Sequence, residues 1–173
     1  ESYSVKAETF GKLFALSRKD IINDDLGAFD NLRKMLGRGG ALSLNDVFWT
    51  EFLNNASFFT ADRGNFDDGA DSALSVDGVS AAEQLFLDQT DSDDKPLGIA
   101  PKKLLVPTSL KSLAWQILNS VELAEGSNSK APKKNPHAGQ YDLVVSAYPG
   151  NTNYTGGSTT AWYLLADPAS MAV

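Results

Sequence analysis

Asp25 to Asn54 reads DLGAFDNLRKMLGRGGALSLNDVFWTEFLN, and the reading of this stretch decides the fold. Asn23, Asp24 and Asp25 supply N-cap side chains whose negative charge suits a helix N-terminus. No proline interrupts the chain before Pro96. At ~1.5 Å per residue, an unbroken helix of this length spans roughly 45 Å, against ~11–12 residues for an ordinary globular helix. Phe29, Leu32, Met35 and Leu36 recur at helical spacing on one face. Beyond Gly37, Gly39 and Gly40 the apolar face moves to about the opposite side. There Ala41, Leu44, Phe48, Trp49, Phe52 and Leu53 form a broad arc, expected to be core. Ser43, Asp46, Thr50 and Asn54 make the narrow polar stripe. Two structures fit: two short helices joined by a glycine turn, or one long helix that buries different faces against different partners.

Upstream, Tyr3, Val5 and Ala7 alternate with Ser4, Lys6 and Glu8, and Phe14 and Leu16 resume the pattern after Gly11. Ser2 to Leu16 therefore reads as extended chain, one arm of a hairpin. Ser17 to Ile22 reads as a short helical turn. Downstream, Phe58 to Phe66 reads as an ordered loop, and Asp67 to Asp71 as an acidic turn. Ser75 caps a helix with Val79, Ala82, Leu85 and Phe86 on one side. Pro101 introduces the strand Lys103–Val106, and Pro107 closes it and pre-sets the next helix. Leu110, Leu113, Ala114, Ile117 and Leu118 make that helix's apolar stripe. Glu125 to Gln140 reads as a polar loop. Tyr141–Ser146 and Trp162–Ala166 read as strands, separated by a Gly-, Asn- and Thr-rich turn region from Pro149 to Thr160. The order predicts an α+β fold with segregated elements rather than a regular βαβ series.

Composition narrows the function. The 173 residues suffice for one domain or two small ones, and 42% apolar content supports a core. A net charge of −7 and a pI near 4.6 argue against a nucleic-acid footprint, which needs a basic face. There is no cysteine, hence no disulfide framework and no thiolate metal site. No apolar run approaches the ~20 residues of a membrane span, and no signal peptide is visible. The chain begins at Glu1 without a Met, as a processed or partial chain does.

Candidate chemistry is sparse. His137, the only histidine, lies among turn formers in Asn135-Pro136-His137-Ala138-Gly139. No Gly-x-Ser-x-Gly elbow accompanies it, and no second histidine completes a metal set. Asp88, Asp91, Asp93 and Asp94 offer oxygens for calcium, but without the EF-hand's glycine at the sixth and glutamate at the twelfth loop position. They read as a solvated, self-repelling loop. Gly37-x-Gly39-Gly40 follows no strand and lacks the Gly-Lys-Ser/Thr ending of a phosphate loop. Lys130, Lys133 and Lys134 read as a solvated basic cluster. The expectation is no catalytic residue, no metal and no cofactor.

Several segments together resemble one known family. Asp20 to Phe29 (DIINDDLGAF), Leu36-Gly37-Arg38, Phe59 to Asn65 (FTADRGN), Lys95-Pro96-Leu97 with Leu104-Leu105-Val106-Pro107, and Trp162 to Pro168 (WYLLADP) resemble, in shared order, the major head subunits of Mu-type phages. Arg63 stands where that family usually has histidine, and Gly39-Gly40 where it is usually Ala-rich. The resemblance implies a major capsid protein of the Hong Kong 97 type, with a long spine helix and an axial α/β subdomain. It implies a peripheral-domain portion over residues 1–57, with the N-terminal arm and spine helix, and an axial portion over 58–173. It further implies self-assembly through hexamers and pentamers into an icosahedral shell in the virion, made in the host cytoplasm. Prohead protease, scaffold and portal are the implied partners, with no sequence-specific nucleic acid and no membrane. The family continues beyond the equivalent of Val173 to a peripheral strand, so the chain reads as a fragment. A monomeric ligand-binding module using Tyr148, Tyr154 and Trp162 is the alternative reading.

Overall fold

The structure, a computed structural model, describes Gly11, Arg18, Lys19 and residues 26–123 and 133–171. The extended arm read at Ser2–Leu16 (apart from Gly11), the cap triplet Asn23–Asp25 and Lys130 lie outside the described residues. Of the turn at Ser17–Ile22 only Arg18 and Lys19 are described, and both are helical. The chain divides into two units, Glu1–Thr50 and Glu51–Val173.

The first unit holds most of α1, an unbroken helix of 28 residues, Leu26–Leu53. The glycine-turn alternative is thereby excluded: Gly37, Gly39 and Gly40 all lie inside the helix. The core expected on its C-terminal half needs correction. Phe48 is 54% exposed and Leu44 73%, while Trp49 and Phe52 are half-buried and only Leu53 is buried. Helical periodicity identifies an apolar arc but not what covers it.

The second unit is built on a central strand, β1 (Pro101–Pro107). Leu104, Leu105, Val106 and Pro107 are all buried, the mark of a strand covered on both faces. Its neighbours are β4 (Asp142–Ser146), parallel to it, and β5 (Tyr163–Ala166), antiparallel, giving the order β4-β1-β5. On one face, Leu104 and Val106 meet Val79 of α2 (Val76–Leu87), Ala114, Ile117 and Leu118 of α3 (Lys111–Asn119), and Tyr141. On the other, Tyr163 sits beside Leu105 in register and meets Phe52 and Phe59, at ring-centroid distances of 5.1 and 5.6 Å.

Local chemistry sets the element ends. The Ser75 hydroxyl accepts from Gly78 N at 2.9 Å and satisfies one orphan donor of α2. Pro107 ends β1, and a 3-10 turn at Thr108–Leu110 leads into α3. Leu113, read into the buried stripe, is 40% exposed at the stripe's edge. Two details depart from the layout read in the sequence. β1, α3 and β4 make one parallel crossover, so the elements are not wholly segregated. The polar loop contains β3 (Lys133–Lys134), which pairs antiparallel with β2 (Glu122–Leu123) and sets Lys134 opposite Glu122.

Candidate functional site

The described residues gather their buried polar groups at one place, the turn after β3. The Asn135 side chain donates to the carbonyls of Ile117 and Ser120 and so closes the C-terminal end of α3. Its Oδ1 accepts from His137 N at 3.0 Å, and Gly139 N donates to Leu118 O. This fastening turns the His137 ring inward, where it is 2% exposed. Its Nε2 lies 2.8 Å from Ser80 Oγ and its Nδ1 3.7 Å from Glu83 Oε2, both on α2. The isolated loop histidine of the sequence is therefore a buried tie between two helices. Ser80 and Glu83 lie one helical turn apart and some 57 residues before His137, so no local motif announced the group.

Serine, histidine and glutamate in this order invite comparison with a nucleophile, base and orienter. The hydrogen bonding does not support it. The Ser80 hydroxyl has a second acceptor, Val76 O at 2.9 Å, and when its one proton goes there Oγ meets His137 in the Nε2–H tautomer as an acceptor. A general base needs the opposite direction. His137 Nδ1 and the Tyr141 hydroxyl are buried without a hydrogen-bond partner. Burial, and then the neighbouring Glu83 carboxylate, hold the Tyr141 hydroxyl well above its ordinary range. The arrangement binds α2, α3 and the start of β4 to one another and is not built for acyl transfer.

The acidic loop is occupied by its own backbone. Asp91 Oδ1 accepts from Asp93 N at 2.8 Å and Lys95 N at 2.9 Å. Asp94 closes the turn at φ 60°, a conformation open to Asp. Among the described residues, no three His, Cys, Asp or Glu side chains come together as a metal site. The Phe59–Asn65 loop is equally specified. Asn65 accepts from Thr60 N and donates to Phe58 O, Gly64 stands at φ 63°, and Gln89 Nε2 donates to Gly64 O at 2.7 Å.

The remaining candidates resolve similarly. The Gly37–Gly40 segment is helical and offers no loop to cradle a phosphate. Lys133 and Lys134 belong to the small β2–β3 ladder. Tyr148 and Tyr154 pack on each other at 5.9 Å, and Trp162 packs against the core and donates from Nε1 to Ser72 O. No helix among the described residues is long and apolar enough to cross a membrane.

What the molecule does expose is apolar surface on α1. Met35, Leu36, Leu42, Leu44, Val47 and Phe48 are between 39% and 73% exposed. The chain matches the model of the phage capsid protein family over residues 1–173, and it belongs to that family. No curated protein and no solved structure is a significant match. The family is structural and non-enzymatic, so the chain's role is that of a capsid component located in the virion, and self-association fits it.

Proposed function

We propose that the chain is the major head subunit of a tailed phage or prophage, of the Mu type within the Hong Kong 97 fold, and that it assembles through hexamers and pentamers into an icosahedral shell. The family match along the whole of residues 1–173 carries this reading. Its finer part rests on the shared order of the segments from Asp20 to Pro168. Two of those segments have clear structural jobs in this chain. In FTADRGN, Gly64 adopts a left-handed conformation and Asn65 closes the loop. In KPL…LLVP, the last four residues are the buried centre of the sheet.

In this reading residues 1–57 form the peripheral portion, with α1 as its spine, and 58–173 the axial portion. The subunit is made in the bacterial cytoplasm, and prohead protease, scaffold and portal are its further partners. Electron microscopy of the full-length protein expressed in a bacterium tests the proposal. Shells or capsomer rings are expected. A protein that stays strictly monomeric by sedimentation at high concentration would overturn it.

A further inference from the structure

One stripe of α1 is self-complementary in size and charge. Arg33, Gly37, Gly40, Leu44, Val47 and Glu51 are spaced alternately by four and three residues, the ~3.5-residue repeat that lets two helices lie along each other. All six are exposed, with Leu44 at 73% and Val47 at 39%. A side chain at Gly37 or Gly40 would meet nothing within 4 Å, so a shallow notch lies open beside these two projecting side chains.

The stripe reads as a complement of itself when reversed end for end. Against a second α1 running antiparallel, Leu44 stands opposite Gly40, Val47 opposite Gly37, and Arg33 opposite Glu51. Each large side chain faces a glycine and each charge its opposite, and every pairing occurs twice. In a parallel arrangement glycine would face glycine, leaving a gap, and arginine would face arginine. Glycine allows the backbones to approach closely, and large-into-small packing fills the notch. We propose that this stripe is an isologous, antiparallel contact between two copies of the chain, centred near Leu42.

The inference rests on the reading of the chain as a self-assembling subunit and names one of its surfaces. Head-to-tail contacts close subunits into rings, but a shell also needs contacts that join one ring to the next, and a two-fold contact does that. It also accounts for glycines placed inside a long helix, each of which lowers helix propensity.

Residues 1–173 hold no cysteine, and any outside them is first replaced by serine, so that introduced thiols report without background. The full-length proteins carrying Gly40→Cys and Leu44→Cys, one of them isotope-labelled, are mixed and oxidised, and the products weighed by mass spectrometry. The mixed 40–44 disulfide is expected to predominate. Predominance of the Leu44→Cys homodimer would mean a parallel contact, and absence of any disulfide would mean that the stripe is covered otherwise, for example by the chain's own N-terminal residues. Either result overturns the proposal. As a second measurement, Arg33→Glu and Glu51→Arg should each raise the dimer dissociation constant about two- to thirtyfold, the scale of the two exposed ion pairs that each change removes. The double variant should restore it, and failure to restore counts against the pairing. Shells that form without the 40–44 disulfide would refute this contact and leave the capsid reading standing. The disulfide without shells would do the reverse.

Discussion

The buried turn at Asn135–Tyr141 is where single side chains decide most. Tyr141 is buried, and its hydroxyl lies near the Glu83 carboxylate without forming a well-aligned hydrogen bond to it. Tyr141→Phe should therefore change stability by less than ~1 kcal/mol at neutral pH, measured by denaturant unfolding. At alkaline pH the two proteins should part. The hydroxyl's pKa is raised above its ordinary 10.0 in the folded state, by burial and then by Glu83. Stability is then fully present below pH 10 and falls as the pH climbs beyond it, because the unfolded chain loses that proton first. Tyr141→Phe should flatten this alkaline loss in part, leaving the share due to half-buried Tyr163, which is shifted in the same direction. An unchanged slope would show that Tyr141 is not the group responsible. His137→Ala should cost on the order of 1–3 kcal/mol by stripping Ser80 of its partner. It should abolish no esterase or peptidase activity of the purified protein. Little of this was legible beforehand. The sequence shows the histidine as a loop residue among turn formers, and only the fold carries α2 to it.

Among the elements, those with complete local signals were read well. Ser75 with Val79 and Phe86 defined α2, and Pro107 with Ala114, Ile117 and Leu118 defined the junction of β1 and α3. Ser75→Ala should cost ~1 kcal/mol, as loss of an N-cap does, and hydrogen exchange should show the first turn of α2 opening first. The β2–β3 ladder escaped notice because two residues per strand carry no periodicity. Helix α1 was legible in length but ambiguous at its glycines, since a run of Gly-x-Gly-Gly serves a turn as readily as a bend. The structure removes the steric objection to methyl groups there: a side chain at Gly39 or Gly40 meets nothing within 4 Å. The double change Gly39→Ala, Gly40→Ala should therefore stabilise an isolated subunit by up to ~2 kcal/mol. Melting below the parent would contradict that. Ser43 Oγ bonds back to Gly39 O at 3.0 Å, a contact that tends to bend helices and that the substitution leaves in place, because its acceptor is a main-chain carbonyl. Trp49 is half-buried, so Trp49→Ala should cost less than the ~3–5 kcal/mol of a fully buried aromatic.

For the whole molecule, the family match and the exposed apolar residues of α1 both fit self-association. The sequence could show the family through ordered short segments. It could not show which apolar positions stay uncovered, because a core side chain and an interface side chain are the same residue type. Within the second unit the Gly/Asn/Thr-rich turn region is joined to the end of α1 at Gly156. There φ is 84°, and a Cβ would lie 2.1 Å from the carbonyl oxygen of Leu53. Gly156→Ala should destabilise the subunit by more than ~1 kcal/mol, from backbone strain alone before the clash is counted. Thermal melting tests this. A neutral effect would mean that the turn region can move away from the helix end.

The strand order has a consequence for synthesis. β1 pairs only with segments that follow it in the chain, β4 and β5. At about 5–20 residues per second, the ~60 residues from Pro107 to Ala166 take roughly 3–12 s to emerge from the ribosome. Leu104-Leu105-Val106 is a bare apolar strand with both edges open until β4 emerges and with one edge open until β5 follows, the kind of segment on which nascent chains stick to one another. A chain halted before Tyr141 should thus collect in the insoluble fraction, while one released after Ala166 should not. The vulnerable moment in the life of this subunit comes before it is finished, when its most buried strand is still waiting for neighbours.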